Sequence, residues 1–146
     1  AETRERGRHA LVEIIAAHLL RAGERELFWS QPAPDQRHGL ECALAVVARH
    51  PNRADLARAA LLHDVGKRRA GLGAVGRALA TAAAAVHLPL PGRWAAYLRH
   101  GDAGAAELAT AGAEPLVVEF ARHHHAGRPE GISAADWDAL CRADRA

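Results

Sequence analysis

The sequence predicts an all-α fold, a single compact helical domain of about six to eight helices. Three observations lead there. Apolar residues recur at spacings of three and four in several stretches, the period of a helix with one covered face. No segment alternates convincingly over six or more residues with β-branched residues, so no strand is expected. Alanine, the best helix former, is abundant, and glycine and proline fall between the periodic stretches as stops. The 146 residues fit one domain. A domain of that size buries roughly 68–70% of its unfolded surface, so it needs no disulfide or metal merely to fold. One domain is therefore expected over residues 1–146, with an N-terminal helix and loop over 1–35 and a core over 36–144.

The elements follow in order. "RERGRHALVEIIAAHLLRAG" carries Leu11, Ile14, Ile15 and Leu19 at helical spacing and is expected to stop at Gly23. "ELFWSQPAPDQ" reads as a loop punctuated by Pro32 and Pro34. Asp35 is placed to cap a second helix from Gln36 to Arg49, with Leu40, Ala43, Leu44 and Val47 on one face and Pro51 beyond its end. Asn52 and Asp55 suggest a capping arrangement for a third helix, Arg53 to Val65, closed by Gly66. Gly71 to His87 reads as an alanine-rich helix and "LPLPG" as a turn. Trp94 to Ala111 reads as helix interrupted near Gly101–Gly104, and Glu114 to His125 as another helix. After the loop "AGRPEG", Ser133 with Asp136 opens a last helix through Asp144.

Composition narrows the function classes. Hydrophobic residues make up 49% and charged residues 25%, the balance of a globular protein rather than a disordered or fibrous one. A net charge of +2 gives no strong nucleic-acid signal, since dedicated binders show a basic stripe. No apolar run approaches the ~18 residues of a membrane span, and "AETRERGRHA" lacks the apolar segment of a signal peptide. Methionine is absent even at position 1, which reads as a processed or trimmed chain. Cys42 and Cys141 stand alone, outside any CxxC arrangement, and read as reduced, buried thiols. A cytoplasmic protein is the expectation. Trp29, Trp94 and Trp137 read as packing anchors.

Histidine is the anomaly. There are ten, and His123, His124 and His125 form an internal triple rather than a terminal tag. "ALLHDVGKRR" places His63 and Asp64 side by side where an apolar helix ends. Imidazole nitrogen and carboxylate oxygen both suit divalent first-row metals, and a carboxylate has two oxygens with which to bridge two ions. Further candidates sit near expected helix ends or first turns: His38, which lies 25 residues before His63; His100, which lies 36 residues after Asp64 at the end of a helix; His124 and His125; and Asp144. Any one of these alone would more often be a surface or capping residue. His9, His18, His50 and His87 read as surface or packing residues.

Taken in order and spacing, "QRHGLECALAVV", "ALLHDVGK", "YLRHGDAGAAELA", "FARHHHAGRPEG" and "CRADRA" resemble the HD-domain superfamily of metal-dependent phosphohydrolases, in its long H…HD…H…HH…D form. The resemblance covers about residues 36–144 and implies a helical domain of the HD type. It implies that His38, His63, Asp64 and Asp144 hold a first metal ion. His100, His124 and His125 would hold a second, with Asp64 bridging. His123–His124 is the alternative register within the triple. The metal pair would be iron, manganese, nickel, cobalt or zinc, all compatible with mixed imidazole–carboxylate ligation. The branch that cleaves cyclic dinucleotides carries GYP after its HH pair. Here the stretch reads "GRPEG", with Arg128 for the tyrosine and Ala126 for the branch's glutamate, which speaks against cyclic di-GMP cleavage.

The activity implied is hydrolysis of a phosphomonoester or phosphodiester by a metal-bridging hydroxide, with two ions about 3.5–4 Å apart. A phosphorylated small molecule of nucleotide type is the expected partner. Asp64 and Lys67 would carry the catalysis, with Lys67, Arg68 and Arg128 on the substrate's phosphate. Gly66 would let the backbone leave the helix. Lys67 and Arg68 also read as a solvated helix end, where the dipole favours positive charge. Asp102 reads as a helix cap, or as a base near the site. The alternative function is a metal-containing nucleotide sensor without turnover.

Overall fold

The structure, a computed structural model, describes residues 2–70, 74–88, 92 and 99–146. Among these there is no strand, and the helices pack into one compact all-α domain. The α-helices are α1 (Glu2–Leu19), α2 (Ala22–Trp29), α3 (Ala33–Arg49), α4 (Ala54–Leu62), α5 (Ala74–Ala85), α6 (His100–Thr110), α7 (Pro115–His123) and α8 (Ala134–Asp144), with a 3-10 helix over Val65–Ala70 after α4. The expected helix starts at 71–73 and 94–98 and most of the "LPLPG" turn lie outside the described residues.

α4 is the centre. It packs against α3 on one side and α7 and α8 on the other, while α6 lies across α7 and the 3-10 helix. Leu56, Ala57, Ala59, Ala60, Leu61 and Leu62 are all buried, so α4 is covered nearly all round. Phe28, Phe120, Leu108, Ile132 and Leu140 close the core around it. Burying side chains of this size contributes roughly 1.5–3 kcal/mol each.

Several boundaries differ from the sequence reading. Gly23 does not end a helix; it lies in the first turn of α2, whose second half takes the start of the expected loop, Glu26 to Trp29. "AGERELFW" is rich in helix formers but short, and Phe28 secures α2 by full burial. α3 starts at Ala33, with Pro34 in its first turn, where a missing N–H costs nothing. Asp35 is therefore inside α3 rather than its cap. α4 stops at Leu62, and Asn52 does not cap it; Asp55 instead accepts from Arg53, which also reaches Asp136 on α8. Ser133 does cap α8, accepting from the Asp136 N–H at 3.2 Å. α6 runs through Gly101 and Gly104 without a break. It ends where Gly112, at φ 79°, lets the Ala113 N–H return to the Leu108 carbonyl.

The apolar stripes are rotated from the expected ones. On α1 the buried residues are Val12 and Ala16, while Leu11 and Ile14 are exposed. On α3, Leu40 and Ala43 are buried with Val46, and Leu44 and Val47 are exposed. Trp137 packs edge-on against Phe120, but Trp29 is exposed and touches Phe28 and His9, so it anchors little. Trp94 lies outside the described residues. His9, His18, His50 and His87 are exposed, as expected. Among the described residues no helix is long and apolar enough to cross a membrane.

Candidate metal centre

Five chain segments meet at one end of α4. His38 and Cys42 lie one turn apart on α3, on the same face. His63 is the C-cap of α4, and Asp64 follows in the turn to the 3-10 helix. His100 opens α6, so it begins a helix rather than ending one. His124 is the C-cap of α7, with His125 next. Asp144 is the last residue of α8.

His63 and His124 are positioned by the same device. Each sits just past the last residue of its helix with αR backbone angles. Nδ1 of each donates to the carbonyl three residues back, Ala60 and Ala121 respectively, at 2.8 Å. A carbonyl can only accept, so Nδ1 carries the proton, and in the neutral ring Nε2 is left with a free lone pair. Both Nε2 atoms face the cluster. Such a backbone acceptor behind a ring is what orients metal-binding histidines elsewhere.

Asp64 stands between two sets of donors. Its Oδ2 is 3.4 Å from His63 Nε2 and 3.8 Å from His38 Nε2. Its Oδ1 is 3.3 Å from both His100 Nε2 and His124 Nε2. On the first side Asp144 Oδ1 lies 3.0 Å from His63 Nε2 and 3.1 Å from His38 Nε2. On the second side His100 Nε2 and His124 Nε2 are 3.2 Å apart. Ligands bound at about 2.0–2.2 Å sit about 2.8–3.6 Å from one another at octahedral or tetrahedral angles, and all of these distances but the 3.8 Å between His38 and Asp64 fall in that range. Two groups result: His38, Cys42, His63 and Asp144; and Asp64, His100, His124 and His125, each with ligand atoms within 4.8 Å of one another.

Two buried polar atoms have no hydrogen-bond partner here, His63 Nε2 and Asp64 Oδ1. Leaving such groups unpaired costs roughly 1–3 kcal/mol each. Both point into the cluster, and both are good donors to a divalent cation. The donor set and these orphaned atoms fit a metal centre.

The electrostatics match. A hydrogen bond to Asp144, and then Cys42, raises the His38 pKa to about 10. Burial opposes charge on His63, but Asp64 and Asp144 outweigh it and raise its pKa. Burial works against ionised Asp64 too, yet His63, His100, His124 and Lys67 hold its pKa well below the carboxylate range. Asp144 is likewise lowered against burial by His38 and His63. Burial lowers His124, and partial covering with His124 and His100 alongside lowers His125 to about 4. Two carboxylates thus stay ionised amid imidazoles, and protons and a divalent cation compete for the same nitrogens.

The remaining candidates separate. Lys67 Nζ donates to Asp64 Oδ2 at 2.6 Å, so this cation lies at the cluster. Arg68 is engaged away from it: its guanidinium donates to Glu107 on α6 and to the Ser30 hydroxyl. Arg128 is exposed and donates to the Ile132 carbonyl at 2.9 Å, closing its own loop. His123 pairs with Glu119 at 3.4 Å along α7, so the geometry favours the His124–His125 register. Asp102 is exposed in the first turn of α6 and does not cap it; Arg99 holds the N-cap position. Gly66 has no positive φ; its place is fixed by close approach, since a Cβ there would lie 1.9 Å from the His100 carbonyl oxygen. Cys42, buried with Sγ 3.7 Å from His38 Nε2, was legible only as one helical turn from His38.

No family model, no curated protein and no solved structure matches this chain.

Proposed function

We propose that the protein is a metal-dependent phosphohydrolase of the HD-domain type, acting on a phosphomonoester or phosphodiester, with a nucleotide-type small molecule as the expected substrate. One observation carries this reading: the two oxygens of a single buried carboxylate, Asp64, face two separate sets of imidazole and carboxylate donors. A lone structural ion would not call for that division. His38, His63 and Asp144 would hold one ion, His100, His124 and His125 the other, and Asp64 both. When bound, such ions supply Lewis-acid activation of a water and charge neutralisation at a phosphoryl group. The chain's own residues do the rest. Nδ1 bonds to Ala60 and Ala121 fix the ring orientation of His63 and His124. Lys67, paired with Asp64 Oδ2, can turn its ammonium to a phosphate oxygen once a cation takes over that carboxylate.

The test has two parts. Protein purified without oxygen is assayed for bound transition metal, and a panel of phosphomonoesters, phosphodiesters and nucleotides is then offered to the metal-loaded form. Two metal equivalents and hydrolysis of at least one panel member are expected. Stoichiometric metal with every panel member left intact would favour a nucleotide sensor. No bound metal in any preparation or titration would end the reading altogether.

A further inference from the structure

Beside the histidine cluster lies a hollow of about 190 Å³, bordered by Arg99, Asp102, Arg122, His124 and His125. Two of these belong to the second ligand group, so the hollow opens from the place where a phosphoryl group would be held. At about 30 Å³ per water, it takes about six waters, room for a phosphate but small for a nucleoside.

We infer that Arg99 and Arg122 form a second anion subsite there, so that the substrate class is a molecule with two adjoining phosphates, a diphosphate, rather than a lone phosphomonoester. This rests on the phosphohydrolase reading for its chemistry, but the subsite stands on its own residues. Arg99 has no hydrogen bond or ion pair on its guanidinium among the described residues. It sits at the N-cap of α6, where the helix dipole disfavours positive charge and favours an anion. Arg122 gives one N–H to Glu119 on its own helix, at 3.2 Å, and keeps its other donors. The planar guanidinium matches phosphate oxygens two at a time.

The backbone fixes where these two groups emerge. Arg99 precedes His100, and Arg122 lies two residues before His124. A Cβ on Gly101 would lie 2.8 Å from the Arg122 carbonyl oxygen, so the two segments touch at that point. Both arginines therefore leave from one contact, at a distance from the cluster set by the chain. Asp102 is the carboxylate that lines the hollow, while Glu119 meets Arg122 from outside that lining.

The experiment titrates inorganic pyrophosphate and orthophosphate into the full chain by calorimetry. It is run on protein as purified, with metal content measured before and after, and again after dialysis against a chelator. Pyrophosphate should bind at least about tenfold more tightly than orthophosphate. Arg99→Ala with Arg122→Ala should remove that advantage while metal content stays. Arg4→Ala with Arg8→Ala, which removes equal charge beside a different hollow, should keep it. Asp102→Asn should widen it. Equal binding of the two anions, or the same loss in both double variants, would overturn the inference. Because the dialysed arm needs no metal, a chain that never binds metal sinks only the phosphohydrolase reading. Turnover of monoesters with a KM indifferent to both arginines sinks only the subsite.

Discussion

At the scale of single residues, Asp64 organises the site. It is buried at 3% exposure, it follows a histidine that caps its helix, and its two oxygens look in different directions. A carboxylate in such a place is stabilised only if both oxygens are served. Here Lys67 serves Oδ2, while Oδ1, with imidazole nitrogens 3.3 Å away, has no hydrogen-bond partner. In the metal-loaded protein two cations would serve both. Asp64→Ala should therefore abolish binding of both ions, whereas His100→Ala should weaken the second by more than about 100-fold and spare the first. His123→Ala, on the Glu119 side of α7, should leave both. Metal stoichiometry after gel filtration reads all three. Equal metal retention by the Asp64 and His100 variants would count against a shared carboxylate.

At the scale of elements, glycines set how closely the ligand-bearing segments approach. Gly39, next to His38, faces the Leu61 carbonyl; Gly66, two residues after Asp64, faces the His100 carbonyl; Gly101, next to His100, faces the Arg122 carbonyl. In each case a Cβ would lie under 3.0 Å from backbone oxygen, and backbone cannot move aside as a side-chain tip can. Gly66→Ala should thus cost roughly 1–3 kcal/mol or more through overpacking and should displace His100. Gly7→Ala is the contrast. Gly7 lies inside α1 with nothing within 4 Å of its would-be Cβ, so alanine there should add roughly 0.5–1 kcal/mol of stability. Urea unfolding of both variants measures the sign. A neutral Gly66→Ala would mean that α6 does not press on the 3-10 helix in this way.

At the scale of the whole molecule, the candidate ligands come from α3, the turn after α4, α6, the turn after α7 and α8, distant in sequence from one another. An ion that binds only this arrangement stabilises the fold by mass action. The gain is about 2.7 kcal/mol per ion at a free concentration 100 times Kd. For a chain of this size that corresponds to a Tm rise of about 5–10 °C per ion. Scanning calorimetry of chelated and metal-supplemented protein should show it. A Tm indifferent to both treatments would mean that the ligands do not close on a common cation.

The sequence by itself determined the helical class and most of the helices, because periodicity of apolar residues and glycine or proline stops are local signals. It also singled out His38, His63, Asp64, His100, His124, His125 and Asp144, because the order of residue types along the chain is a pattern that needs no coordinates. What it could not supply were relations between segments. The second half of α2 was read as loop because this short helix is stabilised by burial of Phe28 against other helices, not by its own periodicity. The interruption expected near Gly101–Gly104 does not lie at those glycines: the helix starts at His100, after Arg99 in a turn, and the glycines answer to contacts with α7 and the 3-10 helix. Arg68 carries the same charge as Lys67 in the sequence. Only the packing of α6 gives it Glu107 as a partner and leaves Lys67 on Asp64. The division of Asp64 between two donor sets was likewise decided by the tertiary structure, because a carboxylate's two oxygens acquire different neighbours only when separate helices are brought to either side of it.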